Sequence, residues 1–120
     1  MPTPKDGLRQ RLARYRQIKI SVIGRRSGRT ISIPVWFALE GEKLYLLPVR
    51  GSDTRWYHHV LHNPWIRIEA RGEEAEFRAA PLTDAKTVSS VVGKFREKYG
   101  TGDVKKYYSK LDVAVMAELV

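Results

Sequence analysis

The feature that most constrains this chain is a glycine-hinged basic turn between two alternating apolar runs. Apolar and polar residues alternate over 18–23 and again over 31–37, on either side of the turn GRRSGR at 24–29. A period of two predicts strands, and the short glycine-containing connection predicts that they pair as a hairpin. Pro34 has no amide hydrogen to donate, so the second strand is predicted to lie at a sheet edge or a bulge.

The rest of the chain continues this pattern and predicts a mainly β protein with flanking helices. The run LYLL at 44–47 is continuously apolar, which predicts a strand buried on both faces. About six strands wrapped by short helices indicate a small antiparallel barrel. The predicted strands cover 18–23, 31–37, 44–47, 65–69, 75–80 and 111–120. Helices are predicted over 7–17 and 83–99, and a third runs from a cap at Ser52 or Asp53 to Asn63.

Length and composition narrow the class of protein. At 120 residues, 42% of them apolar, the chain is expected to form a single domain over 1–120, with a basic helix in 1–17, a barrel core at 18–80, a helix at 83–99 and a closing strand at 111–120. No segment has the length and apolarity of a membrane span or the apolar core of a secretory leader, and cysteine is absent, so a cytoplasmic location is expected. The net charge of +9 predicts attraction to phosphates, nucleic acid or an anionic lipid surface.

Two basic turns are the strongest candidates for a binding site. Arg25, Arg26 and Arg29 offer planar donor forks for phosphate or carboxylate oxygens, and Ser27 adds a hydroxyl. The second turn, RGSDTR at 50–55, precedes a helix, and a helix N-terminus favours an anion. Together they indicate a phosphate-bearing ring cofactor, while solvated hairpin charges remain the alternative.

Aromatic and histidine residues follow the second turn and recur near the C-terminus. Trp56 either borders the ring or, as is commoner at the start of an amphipathic helix, packs in the core. His58 and His62 stand one helical turn apart, but no third ligand lies near them in the sequence, so no metal site is predicted.

The order of these segments resembles the deazaflavin-dependent nitroreductases, in the flavin-binding split-barrel superfamily that also holds the pyridoxamine phosphate oxidases. The resemblance covers roughly residues 18–70 and is carried by IGRRSGR at 23–29, IPVWF at 33–37, LYLL at 44–47 and the segment from Trp56 to Pro64. It implies a six-stranded antiparallel split β-barrel of the FMN-binding type and a homodimer with a cofactor groove near the dimer interface. It also implies hydride transfer from reduced coenzyme F-420, an 8-hydroxy-5-deazaflavin, to an activated alkene, quinone, nitro compound or similar small-molecule acceptor.

The resemblance also assigns roles to residues. The basic residues of the first turn would hold the acidic tail of the cofactor, the second turn and nearby apolar side chains would surround its ring, and C-terminal tyrosines would approach the substrate. The implied cofactor-binding residues are Arg25, Arg26, Ser27, Arg29, Pro34, Val35, Val49, Arg50, Gly51, Ser52, Arg55 and Trp56, and the implied catalytic candidates are Tyr99, Tyr107 and Tyr108.

Several alternatives remain open at this stage. The family motif commonly continues with a proline and a second basic residue where this chain has Thr30 and Ile31, which leaves FMN as the alternative cofactor. A basic nucleic-acid-binding module and a non-catalytic ligand carrier are the rivals from other classes, although the arginines concentrate at turns and no RNA-binding signature is present, so no specific nucleic acid is expected. The basic N-terminal helix is expected to make at most weak contact with an anionic membrane.

Overall fold

Seven strands form one antiparallel sheet that curls into a half-barrel. The description comes from a computed structural model and covers residues 12, 15–24, 27–70 and 72–119. Along the sheet the strands follow the order β2-β1-β5-β6-β7-β4-β3. The strands are β1 (Ile18–Ile23), β2 (Thr30–Val35), β3 (Phe37–Glu40), β4 (Lys43–Leu46), β5 (Trp65–Ala70), β6 (Glu73–Leu82) and β7 (Ala114–Glu118).

The expectation of six strands is wrong by one, because the apolar run at 31–37 divides at Trp36. Before Trp36, β2 pairs with β1, and after it β3 pairs with β4 at the far edge of the sheet. The long strand β6 changes partner in the same way, from β5 up to Arg78 to β7 from Ala79 onward. These two changes of partner curl the sheet, and they leave β2 and β3 as its two edges. The prediction that Pro34 lies on an edge strand is therefore confirmed.

Two apolar clusters pack on opposite faces of the curled sheet. The barrel cluster lies on one face and includes Ile20, Phe37 and Leu44, each with no exposed surface. The helix cluster lies between the sheet and the long helix and includes Tyr45 and Phe95. Since alternate residues of β4 belong to the two clusters, this strand is buried on both faces, as its continuous apolar run predicts.

Three helices cover this sheet in the described part of the chain. They are α1 (Arg55–His62), α2 (Ala85–Tyr99) and α3 (Thr101–Tyr107), and a single 3₁₀ turn at Gly51–Asp53 precedes α1. Asp84 caps α2 by accepting a hydrogen bond from the amide of Thr87 at 3.0 Å, and Gly100, with φ of 94°, ends it. The segment after Gly100, for which the sequence predicts no element before the closing strand, forms α3. The predicted N-terminal helix falls almost entirely outside the described residues.

None of the helices within the described ranges has the length and apolarity needed to cross a bilayer.

Candidate functional site

The first basic turn is held by hydrogen bonds between its own backbone groups. The amide of Gly24 donates to the carbonyl of Arg29 at 2.8 Å, and the amide of Gly28 donates to the carbonyl of Gly24 at 2.9 Å. The Ser27 hydroxyl oxygen accepts a hydrogen bond from the amide of Arg29 at 3.2 Å, and both side chains are exposed. Arg25 and Arg26 lie outside the described residues, so their predicted roles stay predictions.

The second loop is held from across the fold. The amide and the hydroxyl of Ser52 both donate to the carboxylate of Asp112, at 2.9 and 2.6 Å. These bonds, the hydroxyl bond foremost, hold the pKa of Asp112 below its usual range. Lys110 completes the cluster by donating to Asp53 at 3.3 Å. The Ser52 hydroxyl, a predicted cofactor contact, is thus already donated to a carboxylate.

The start of α1 differs from the predicted cap. The N-cap residue is Thr54, and no side chain caps the helix. The predicted caps have other partners, since Ser52 bonds to Asp112 and Asp53 to Lys110, while Thr54 Oγ1 accepts from the amide of Arg50 at 2.8 Å.

The three described arginines of the two loops, Arg29, Arg50 and Arg55, have exposed side chains. No carboxylate within the described residues forms an ion pair with Arg29, Arg50 or Arg55. By contrast, Arg67 on β5 lies 3.3 Å from Glu76 on β6. The loop arginines therefore retain their donor groups for an anionic ligand.

The three candidate tyrosines gather around Trp36. The ring of Trp36 stacks on Tyr99 at 4.2 Å between centroids and on Tyr107 at 4.5 Å, with interplanar angles of 9° and 12°. Tyr108 meets Trp36 edge-on at 6.1 Å. Tyr99 and Tyr108 are buried, whereas Tyr107 is 42% exposed. Of this aromatic group, Tyr107 is the phenol that a substrate can reach.

The hydroxyl of Tyr99 is used inside the fold. It accepts a hydrogen bond from the amide of Phe37 at 3.1 Å and lies within hydrogen-bond distance of the carbonyls of Phe37 and Arg16. Burial raises the pKa of Tyr99, and more strongly that of Tyr108, so both phenols remain protonated. This bonding identifies Tyr99 as a link between the sheet and α2.

The second loop and the tyrosines adjoin each other. The carbonyl of Val49 accepts a hydrogen bond from the amide of Ser109 at 2.9 Å, directly after Tyr108. Val49 is half-buried and, like Trp36, packs against the helix cluster. The structure thus brings together two groups that are about 60 residues apart in the sequence.

The first turn lies at the other end of its hairpin from the tyrosines. Tyr99 bonds next to the Ile18–Val35 pair that begins the β1–β2 ladder, whereas the turn follows the Ile23–Thr30 pair that ends it. The two pairs are five residue steps apart along β1, or roughly 17 Å at the rise of an extended strand. A ligand that touches both must be elongated. That the two loops face one groove stays a prediction.

The remaining predicted residues divide between core and surface. Val35 and Trp56, 7% and 4% exposed, pack in the barrel cluster, which agrees with the interpretation of Trp56 as core. Gly51 is buried with φ of 54°, and a Cβ there would collide with Asp112. Pro34 is exposed and lines a cavity of about 500 Å³ together with Arg16.

Sequence reasoning missed three residues of this region. The sequence predicts Trp36 only as part of a strand, although its ring stacks on two of the tyrosines. Arg16 and Lys98 were not selected, yet both stand over the ring of Tyr99. No local signal identifies them, because their proximity depends on how α2 packs on the sheet. Among the described residues, no group of three or more metal-ligating side chains occurs.

A family model described as an uncharacterized protein conserved in bacteria, DUF2255, matches residues 9–116. The chain belongs to this family. No curated protein matches it by sequence.

Solved structures of the same fold are similar at low identity. One is an F420-H2 dependent reductase, FDR-A, with a TM-score of 0.66 and 18% identity, covering 86% of this chain and 94% of that one. A second, described as a domain-swapped dimer, has a TM-score of 0.69 and 17% identity, covering 97% and 100%. A third is the heme storage protein HutZ from Vibrio cholerae, with a TM-score of 0.70 and 13% identity, covering 93% and 86%. The mainly β fold with flanking helices is confirmed, and the curled half-barrel is consistent with the split barrel that the sequence resemblance implies. These likenesses show fold alone.

Proposed function

We propose that this protein is a split-barrel oxidoreductase that binds a deazaflavin or flavin and directs its hydride to a small organic acceptor. The observation that carries the proposal is the hydrogen bond between Val49 and Ser109, which sets the second loop beside the Trp36 aromatic group. A ring-binding loop and a hydroxyl-bearing wall next to it are the two parts that hydride transfer requires from the protein. The fold shared with FDR-A, a deazaflavin-dependent reductase, supports the same assignment.

The residues present fit a cofactor with an acidic tail. Arg29 and Arg50 are exposed and carry no acidic partner in the described part of the chain. Guanidinium groups bind phosphate and carboxylate oxygens in pairs of parallel hydrogen bonds. Arg29 would hold the acidic tail with Arg25 and Arg26, and Arg50 would lie beside the ring. Ser52 fits less well, because its hydroxyl already donates to Asp112.

The hairpin also bears on which cofactor is preferred. An acidic tail at the first turn and a ring near Trp36 would lie roughly a strand length apart. Coenzyme F-420 carries a longer acidic tail than FMN, so we favour the deazaflavin and keep FMN as the alternative.

Each residue near the proposed ring site has a physical task. The cofactor supplies the hydride, and the chain supplies position and electrostatics. Tyr107 is the exposed phenol, and its hydroxyl would donate a hydrogen bond to the acceptor as negative charge develops there. Trp36 fixes the Tyr107 ring by stacking at 4.5 Å, which limits the hydroxyl to few positions. Tyr99 and Tyr108 would act by holding Trp36 in place.

The active unit is proposed to be a homodimer. A similar structure is described as a domain-swapped dimer, and the sequence resemblance implies a cofactor groove near a dimer interface. The exposed edge strand β2, which carries Pro34, would then border that groove.

A binding titration followed by a turnover assay tests the proposal. Purified protein is titrated with coenzyme F-420, FMN and heme, the last because HutZ is a heme storage protein of the same fold. Submillimolar binding of the deazaflavin or FMN, followed by oxidation of the reduced cofactor by a quinone, nitroarene or activated alkene, is the expected result. Binding of heme alone would refute the assignment. Cofactor binding without turnover would indicate the carrier instead.

The nucleic-acid alternative has its own control. Single-stranded DNA and RNA are expected to bind weakly and to dissociate at physiological salt, because the net charge of +9 gives only nonspecific attraction. Tight binding that persists at that salt concentration would favour the nucleic-acid module.

A further inference from the structure

Two cations stand over one buried aromatic ring near the end of α2. The guanidinium carbon of Arg16 lies 5.0 Å from the centroid of the Tyr99 ring, and Lys98 Nζ lies 5.2 Å from the same centroid. Lys98 Nζ is also 3.5 Å from the centroid of the Phe37 ring and donates to the Phe37 carbonyl at 3.0 Å. Two positive charges thus lie close to one aromatic ring.

Neither cation is balanced by an acid within the described residues. No ion pair there involves Arg16 or Lys98. One turn earlier on the same helix, Lys94 lies 2.7 Å from Glu40. The pKa values differ accordingly: the hydrogen bond to Glu40 raises that of Lys94, whereas burial and then Arg16 lower that of Lys98 to about 8. A half-buried ammonium beside a like charge is stabilised by any anion that reaches it.

A cavity next to Arg16 is large enough to hold the body of a small organic anion. It has a volume of about 500 Å³ and is lined by Arg16, Tyr15, Ile18 and Pro34, among others. That volume falls within the range of sites for small organic ligands. Lys19 and Glu69, which also line it, lie 3.9 Å apart and offset each other's charge. Arg16 therefore provides the unbalanced charge of this cavity.

We propose that Arg16 and Lys98 bind the carboxylate or phosphate of a small organic molecule whose apolar body lies in the adjoining cavity. Arg16 is exposed and offers a planar donor fork, and Lys98 adds a desolvated ammonium behind it. The anion site itself requires no cofactor, so it is tested without one.

Binding of benzoate, phenyl phosphate and the uncharged benzamide is measured by NMR in the protein without cofactor. Backbone amide shifts give the affinity in every variant, and the labelled lysine side chains give the pKa of Lys98 in the parent protein. Both anions are expected to bind and to raise the pKa of Lys98 from about 8. Benzamide is expected neither to bind nor to change that pKa. Arg16→Gln and Lys98→Met should each weaken the binding of benzoate by about tenfold, which corresponds to the loss of one charge-assisted hydrogen bond. Lys98→Arg, which keeps the charge, should restore binding.

Lys94→Met is the matched control, because Lys94 is one turn away and already paired with Glu40. It should leave benzoate affinity unchanged. The proposal is overturned if benzamide binds as well as benzoate, if Lys98→Met binds normally, or if inorganic phosphate binds as tightly as phenyl phosphate, since then the cavity contributes nothing. Failure here, with cofactor binding and turnover intact, would leave the proposed oxidoreductase standing.

Discussion

The turn at 24–29 closes through its own backbone, whereas the loop at 49–55 is tied to the segment at 109–112 from the far end of the chain. Both carry arginine, glycine and serine in similar order. The serine of the first accepts a hydrogen bond from the amide two residues later, and the serine of the second donates to Asp112, sixty residues later. The two loops thus differ despite their similar composition. The described donor side chains of the first turn stay exposed, whereas the Ser52 donors of the second loop bind Asp112 and hold two parts of the fold together.

The largest difference between the two loops is expected from alanine at their glycines. Gly51 and Gly28 both have positive φ, 54° and 69°. A Cβ on Gly51 would collide with Asp112, whereas one on Gly28 would meet no atom of the described residues within 4 Å. Gly51→Ala should lower the free energy of unfolding by about 3 kcal/mol, and Gly28→Ala by about 1 kcal/mol. Urea unfolding followed by circular dichroism measures both. Equal losses would remove the distinction between the loops.

The first turn should matter for ligand binding and little for stability. Arg29→Gln is expected to weaken the binding of coenzyme F-420 by about tenfold, while the free energy of unfolding stays within about 0.5 kcal/mol of the parent value. Fluorescence titration and urea unfolding give the two values. The control is Arg67→Gln, which removes an arginine already paired with Glu76 and should leave the affinity unchanged. An unchanged affinity in Arg29→Gln would exclude Arg29 from the cofactor site.

The second loop should show an acid-sensitive contribution to stability. The Ser52 bonds lower the pKa of Asp112, so its stabilising effect is present above its ordinary pKa and disappears as the pH falls through the lowered value. Asp112→Asn should lower the free energy of unfolding by about 1 kcal/mol at pH 7, a modest value because solvent screens this partly exposed group. The two proteins should converge in stability well below pH ~4. A difference that persists there would mean that the charge is not the cause.

The smallest effect is expected at Ser27. Its hydroxyl oxygen accepts one exposed hydrogen bond from the amide of Arg29, so Ser27→Ala should lower the free energy of unfolding by about 0.5 kcal/mol. Ser52→Ala, which removes a bond to a carboxylate, should cost more. If thermal melts rank the two variants in the opposite order, the first turn is more firmly held than its contacts indicate.

The sequence predicts the strands of this fold well because their apolar residues repeat with a period of two. The β1–β2 hairpin, the β5–β6 hairpin around Gly72 and the buried β4 all follow from local pattern. Two features of the fold are not predicted by this local pattern. The division of one apolar run at Trp36 depends on a change of strand partner, and α3 follows Gly100 where a basic segment offers no apolar stripe.

The candidate site is less predictable than the fold. Exposed arginines at turns are visible in the sequence, since glycine and charge mark them directly. The partners of Ser52, the stacking of Trp36 on Tyr99 and Tyr107, and the pairing of Arg16 with Lys98 on one ring are not visible. Each joins segments that are distant in the chain, so no short window of sequence contains both members.

The sequence by itself determined the strand pattern, the edge position of Pro34 and the two basic loops, because hydrophobic period, a missing amide donor and turn chemistry act within a few residues. Only the tertiary structure decided which loop keeps its donors free, which tyrosine reaches solvent and which lysine loses its counter-charge. Those properties depend on burial and on the distance between groups, and both are set when α2 and the C-terminal segment pack against the sheet.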